Sequence, residues 1–228
     1  MHVGKRGLRN CGVRSMVDLG WLVLVAHALG QVKGKMHSKR TIRYLSILLL
    51  ALACSAVAAP FQQKSVAVDV AQSKVQYTVD STLHTVHGTF QLKSGSVQFD
   101  PGGGAASGQL VVNAASGDSG NKSRDHKMTH DILEAEKFPE IVFTPQKMKG
   151  TLAPSGASQI QLEGVMTLHG QSHPMTLDVN AEVQGSSITA DTSFVVPYIQ
   201  WGLKNPSALF LRVSDKVKIH IHAVGQLK

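Results

Sequence analysis

Apolar and polar residues alternate with a period of two through most of the chain beyond residue 60. Val75, Tyr77 and Val79 alternate with Gln76 and Thr78. Phe90 and Leu92, then Val97 and Phe99, follow the same rule. So do Ile160 and Leu162, Met166 and Leu168, and Met175, Leu177 and Val179. The last run is the cleanest, with Val217, Ile219 and Ile221 set against Lys218, His220 and His222. Because successive side chains of a strand point to opposite faces, this pattern demands strands with one buried and one wet face, hence antiparallel sheet.

Turn-forming residues punctuate the runs. Lys93-Ser94-Gly95 reads as a tight hairpin and Pro101-Gly102-Gly103-Gly104 as a flexible one. Pro154-Ser155-Gly156, Gly170-Gln171-Ser172 and Gly185-Ser186-Ser187 add three more. Eight to ten short, evenly spaced strands in hairpin order fit a barrel or a sandwich. One segment departs from the period. From Ser123 to Glu136, Met128, Ile132 and Ala135 recur at helical spacing, with Ser123 placed to cap the start, Asp125 in the first turn and Pro139 beyond the end. The pattern predicts an all-β antiparallel barrel or sandwich with one amphipathic α-helix beside or across a mouth.

The formal charge of +8 belongs to a different part of the chain. Nine Lys and Arg against the single acid Asp18 fall within residues 1–58, whereas the remaining 170 residues carry 14 basic and 14 acidic side chains. The working domain therefore has no electrostatic footprint for nucleic acid. Residues 36–58 have the layout of a cleaved signal peptide. Lys39, Arg40 and Arg43 lead, Leu45 to Val57 is too short an apolar run to span a bilayer, and Ala56-Val57-Ala58 is a small-x-small cleavage site. Residues 1–35 precede that signal and read as a non-structural start-site extension, with Met36 a natural initiator. The working domain is 59–228, placed by this leader in the periplasm, or secreted, or tethered if Cys54 is lipidated. Both cysteines, Cys11 and Cys54, fall in the leader, so the domain has no disulfide, thiolate nucleophile or cysteine metal site. It has no integral membrane span by hydropathy, and dimerisation is left open.

Three stretches resemble one known family. Val86-His87-Gly88-Thr89-Phe90 resembles an early Gly-x-Phe strand. Arg124-Asp125-His126-Lys127-Met128, followed by Phe138-Pro139-Glu140-Ile141-Val142-Phe143, resembles an Arg-Asp-x-x-Met/Leu helix leading into a Pro-x-Ile-x-Phe strand. Leu168-His169-Gly170-Gln171-Ser172-His173-Pro174 is similar to a Leu-x-Gly-x-x-x-Pro hairpin. Together, over about residues 66–225, they are similar to the bacterial polyisoprenoid-binding YceI-like family. The resemblance implies an all-β, lipocalin-like antiparallel β-barrel of about eight strands with the amphipathic α-helix beside the mouth, a long apolar cavity, an apolar lipid of polyisoprenoid type as ligand and partner, no other cofactor, and no catalysis. Ligand contacts are then expected from Tyr77, Phe90, Phe99, Phe143, Met166 and Phe194 on strands, and from Met128, Ile132 and Leu133 on the helix. Arg124 and Asp125 either orient a head group or pair with each other at the helix start.

Two other functions fit the residues. The domain has eight histidines, and His220 with His222, or His126 with His130, have spacings that can chelate a metal. A metal-binding protein or metal-dependent enzyme needs three or four of them to converge. Tyr198, Trp201 and Leu203 offer a loop patch for a protein partner if exposed. No phosphate loop follows Gly102-Gly103-Gly104, and no Gly-x-Ser-x-Gly elbow occurs.

Overall fold

The computed structural model describes residues 63–208 and 210–228. The extension 1–35, the signal peptide 36–58 and the tether at Cys54 lie outside the described residues. The strands are β1 (Lys64–Val68), β2 (Lys74–Asp80), β3 (Thr85–Phe90), β4 (Leu92–Phe99), β5 (Gly104–Asn113), β6 (Glu140–Lys149), β7 (Gly156–Leu168), β8 (Gln171–Gln184), β9 (Ser187–Val196) and β10 (Val217–Leu227). Every pairing is antiparallel, and β10 closes the sheet against both β1 and β2. β1 meets the end of β10 at Val66–Leu227, and β2 meets its middle at Tyr77–Ile219, so β1 and β2 form one interrupted stave. β3 and β4 form the next in the same way, pairing with β2 and β1 respectively. The result is an eight-stave closed barrel of up-and-down order. Closure pairs the staves edge to edge, except that the outer edge of β3 is held only by the Thr89–Asp118 bridge.

The alternation in sequence becomes alternation in burial. β8 runs exposed and buried in strict turn from Asp178 to Gln184, with Val179, Ala181 and Val183 inward. The β7–β8 hairpin turns on His169 and Gly170, at φ 52° and 71°. Two successive positive φ angles are those of a type I′ turn, whose twist matches its strands. The expected hairpin at Lys93-Ser94-Gly95 is not one. These residues lie inside β4, where a register shift between Leu92 and Ser94 marks an irregularity. A bulge needs an extra residue and a kink, which Ser and Gly supply as readily as a turn, so the signal was ambiguous.

Following the staves fixes two ends. The β2–β3 turn, the long β5–β6 connection, the β7–β8 hairpin and the β9–β10 connection share one end; the β4–β5, β6–β7 and β8–β9 turns share the other. The second end is packed solid. Phe99, Ala106, Met148, Leu152, Ile160, Val183 and Ile188 meet there in one buried cluster. Phe143 leans the same way, since a Cβ on Gly164 would stand 2.9 Å from its ring.

The helix occupies the β5–β6 connection. α1 (Lys122–His126) continues without a break into a π-helical turn, Lys127–Ile132. Its cap is Asn121 rather than Ser123: the Asn121 side chain accepts the Arg124 amide at 3.1 Å. Either residue satisfies the orphan donors of a first turn, and sequence alone does not choose between them. Backbone hydrogen bonds between Thr89 and Asp118 pin this connection to β3. No helix among the described residues is long and apolar enough to cross a membrane.

Candidate functional site

At the helix-bearing end the inward side chains do not meet. They surround a cavity of about 530 Å³. Three parallel rows of alternate residues make most of the wall: Val75, Tyr77 and Val79 of β2; Val217, Ile219 and Ile221 of β10; Phe194 and Val196 of β9. Met166 and Leu168 of β7 face them, with Val112 and Ile141 between. Met128, Ile132 and Leu133 of the helical segment roof the space, beside Phe90. The helix comes this close because residue 117 is glycine: a Cβ there would stand 2.9 Å from the Phe90 ring and closer still to the Met128 methyl.

The polar groups cluster on one side of the rim. Ser81 and His84 come from the β2–β3 turn, and Asn121, Ser123, Arg124 and Lys127 from the helix start. Arg124 and Asp125 do not pair directly; both hold Ser119. Arg124 Nε donates to Ser119 Oγ at 2.7 Å and Nη2 to Ser119 O at 2.9 Å. Asp125 Oδ1 accepts the Ser119 amide at 2.8 Å and the Ser119 hydroxyl. Burial pushes the Asp125 carboxyl up, but the Ser119 hydroxyl and amide, with Lys122 and Arg124, bring it to a net value below its ordinary one. Its Oδ2 is buried with no partner, as is the Tyr77 hydroxyl. Burial, the largest cause, raises the Tyr77 phenol above its ordinary value; the Asp125 charge adds to this while Ser119 opposes it. The oily cavity thus has a polar rim on one side, and the two orphaned oxygens lie buried behind its wall.

Seven of the nine expected contact residues line this space: Tyr77, Phe90, Met128, Ile132, Leu133, Met166 and Phe194. Phe99 and Phe143 do not. Phe99 sits at the filled end opposite Lys64 and Ala106, and Phe143 turns its ring over Gly164. Alternation tells which face a residue occupies but not how far along the barrel axis it lies. The residues missed on strands, Val75, Val79, Ile219 and Ile221 among them, have the same parity as those named and were readable from it. Pro206, Leu211 and Val213 come from the irregular β9–β10 connection, where no periodicity marks them.

The loop patch is overturned as an exposed surface. Tyr198 and Leu203 are buried, and Trp201 stacks on His173 with centroids 4.0 Å apart. Tyr198 Oη donates to Ser214 O at 2.7 Å, so an aromatic loop here is anchored inward. The histidines are dispersed. His126 and His130 stack on each other, and His169 packs on Phe138. On the outer wall, His222 Nδ1 lies 2.8 Å and His220 Nε2 3.7 Å from Asp191 Oδ1. Among the described residues no three His, Cys, Asp or Glu side chains form a group that could hold a metal ion.

Comparison with known proteins follows the same outline. Residues 67–225 match the family described as YceI-like domain. The chain is 32% identical over 103 residues to a UPF0312 protein of Vibrio cholerae, covering 44% of this chain and 51% of that one. It is 29% identical over 102 residues to Protein YceI of Escherichia coli O157:H7, covering 44% and 51%. The chain spans about half the length of the curated relatives it matches. Among solved structures, Burkholderia cenocepacia BcnA superposes with a TM-score of 0.56 at 25% identity, covering 69% of this chain and 98% of that one. A polyisoprenoid binding domain from Saccharophagus degradans, implicated in plant cell wall breakdown, gives a TM-score of 0.55, covering 72% and 98%; at 14% identity it is a likeness of fold.

Proposed function

This chain belongs to the YceI-like domain family, and on that premise we propose that it is an exported, non-catalytic binding protein holding an apolar, polyisoprenoid-type lipid in the barrel. The observation that carries this reading is the hollow: about 530 Å³ walled by Val, Ile, Leu, Met and Phe, in a fold whose other end is packed solid. A core is normally filled to crystal density, and ligand sites are concave, mostly apolar and of this size. At about 30 Å³ per water-sized group, roughly 18 such groups fit, or three to four five-carbon units. Burying fifteen carbons at about 0.8 kcal/mol each gives on the order of 12 kcal/mol. Association costs of about 4 kcal/mol or more leave micromolar binding within reach. The printed description of the Saccharophagus degradans domain agrees with the ligand class.

Native mass spectrometry and organic extraction of the exported protein test the reading. A bound isoprenoid-sized hydrophobic mass is expected. Ile219→Arg, which puts a cation in mid-wall, should remove that mass while the far-ultraviolet dichroism of the barrel persists. Wild-type protein that extracts no lipid and takes up none on mixing would end the proposal. Export is supported by the signal pattern of residues 36–58 and predicts a mature N-terminus at Ala59 by Edman or mass-spectrometric sequencing. A lipidated Cys54 at that terminus would replace free export with a membrane tether.

A further inference from the structure

Four large hydrophobic side chains are exposed among the described residues, and two of them share the rim of the cavity. Leu83 is 73% exposed and Phe210 92%. Neither is on a loosely tied loop. Ala208 and Leu211 exchange backbone hydrogen bonds of 2.9 and 3.1 Å, which makes a tight hairpin with Phe210 at its tip. That segment is bound to the β2–β3 turn carrying Leu83: the Thr82 amide donates to Arg212 O at 2.9 Å, and Ser81 bridges to Val213. The neighbours Ser81, His84, Leu211 and Val213 line the cavity. Leu211 therefore faces the apolar interior while Phe210, one residue away, is held out in water. Singly exposed apolar side chains are ordinary, but these two stand on tips that are hydrogen-bonded to each other at the mouth of an apolar cavity.

The charge around these tips is mainly positive. The β9–β10 connection, 197–216, carries Lys204, Arg212 and Lys216 against the single acid Asp215. The helical segment adds Lys122, Arg124 and Lys127. Asp131 is engaged with His130, Glu134 with Lys137 and Lys204, and Asp125 with Ser119; Glu136 has no ion-pair partner among the described residues. Among the described residues Lys127 and Arg212 take part in no ion pair. Two separate apolar tips flanked by cations suit a surface that admits side chains to a depth of about 5–10 Å and carries negative headgroups. A protein partner would call instead for a continuous face of roughly 800 Å².

We propose that this rim docks on a bilayer containing anionic phospholipid, with Leu83 and Phe210 inserted among the acyl chains and Arg212 and Lys127 on the headgroups. The inference rests on the lipid-site reading of the cavity, for it gives an apolar ligand a path between bilayer and barrel that avoids water. Flotation of the purified protein with vesicles of phosphatidylglycerol and phosphatidylethanolamine, against vesicles of phosphatidylcholine alone, tests it. Flotation with the anionic vesicles only, weakened by salt, is expected. Phe210→Asp or Leu83→Asp should each weaken it by at least about tenfold, and Arg212→Glu should lower it further. Uptake of N-phenyl-1-naphthylamine in solution, read by fluorescence, should be unchanged in these three variants because none of the three side chains lines the cavity. Probe uptake without flotation overturns the docking and spares the lipid site. Flotation without probe uptake by the wild type sustains the docking and overturns the lipid site. A dimer that Phe210→Asp dissolves, with no flotation, overturns the docking in favour of a second copy of the chain.

Discussion

Tyr77 concentrates the chemistry of the site in one side chain. Its ring belongs to the apolar wall, and its hydroxyl is buried without a partner. An unsatisfied buried polar group costs about 1–3 kcal/mol, so a structural role does not explain the hydroxyl. Tyr77→Phe should raise the melting midpoint of delipidated protein by an amount equivalent to about 1 kcal/mol in a thermal denaturation experiment. A fall in the melting midpoint of the delipidated protein would show that the hydroxyl is satisfied within the fold. The wall residue was visible in the sequence from parity alone. The missing partner was not, because it depends on the loop residues Asp118 and Ser119, far along the chain.

The helical segment is an element held at both ends. Asn121 caps its start, and Glu134, at φ 46°, clamps its finish to Lys137 and Lys204. Glu134 thereby ties the cavity roof to the β9–β10 connection. Hydrogen bonds from Lys204, then Lys137, hold its carboxyl at about 2. Since the folded value is depressed, the clamp is complete above the ordinary carboxylate range and is lost as pH falls toward 2. Glu134→Gln should lower the protection of the Trp201, Gly202 and Leu203 amides against hydrogen exchange at neutral pH, and acidified wild type should lose protection at the same amides once its slower intrinsic exchange is divided out. Equal exchange in wild type and variant at pH 7 would show that the clamp carries no coupling. The helix was legible from Met128, Ile132 and Ala135; its passage into a π turn, and the identity of its cap, were not. Local pattern sets which face is apolar, whereas hydrogen-bond register responds to what packs above and below.

At the scale of the molecule, one barrel has a solid half and a hollow half. Met166 lies in the hollow half, 7% exposed, facing the β2 and β10 rows. Met166→Trp should fill part of the space, and filling a void stabilises while it competes with the ligand. The expected result is a higher melting temperature for delipidated protein together with a lower lipid content by native mass spectrometry. Unchanged lipid content in a well-folded variant would place the ligand elsewhere. The asymmetry also explains why Phe99 and Phe143 do not line the cavity while Phe90 and Phe194 do. All four have inward parity, but only two stand at the level where the wall residues fail to meet.

Local chemistry repeated along the chain was enough to set most of the strands, their inward faces, the helix and the neutral charge of the domain, though not the continuity of β4 through Lys93-Ser94-Gly95. Tertiary structure alone decided the depth of each side chain along the barrel axis, the inward anchoring of Tyr198 and Leu203, and the placing of Leu83 beside the Phe210 hairpin. Those facts arise from pairings outside any one periodic segment, from Tyr198 with Ser214 in the same connection to Thr82 with Arg212 across the chain, and no period records them.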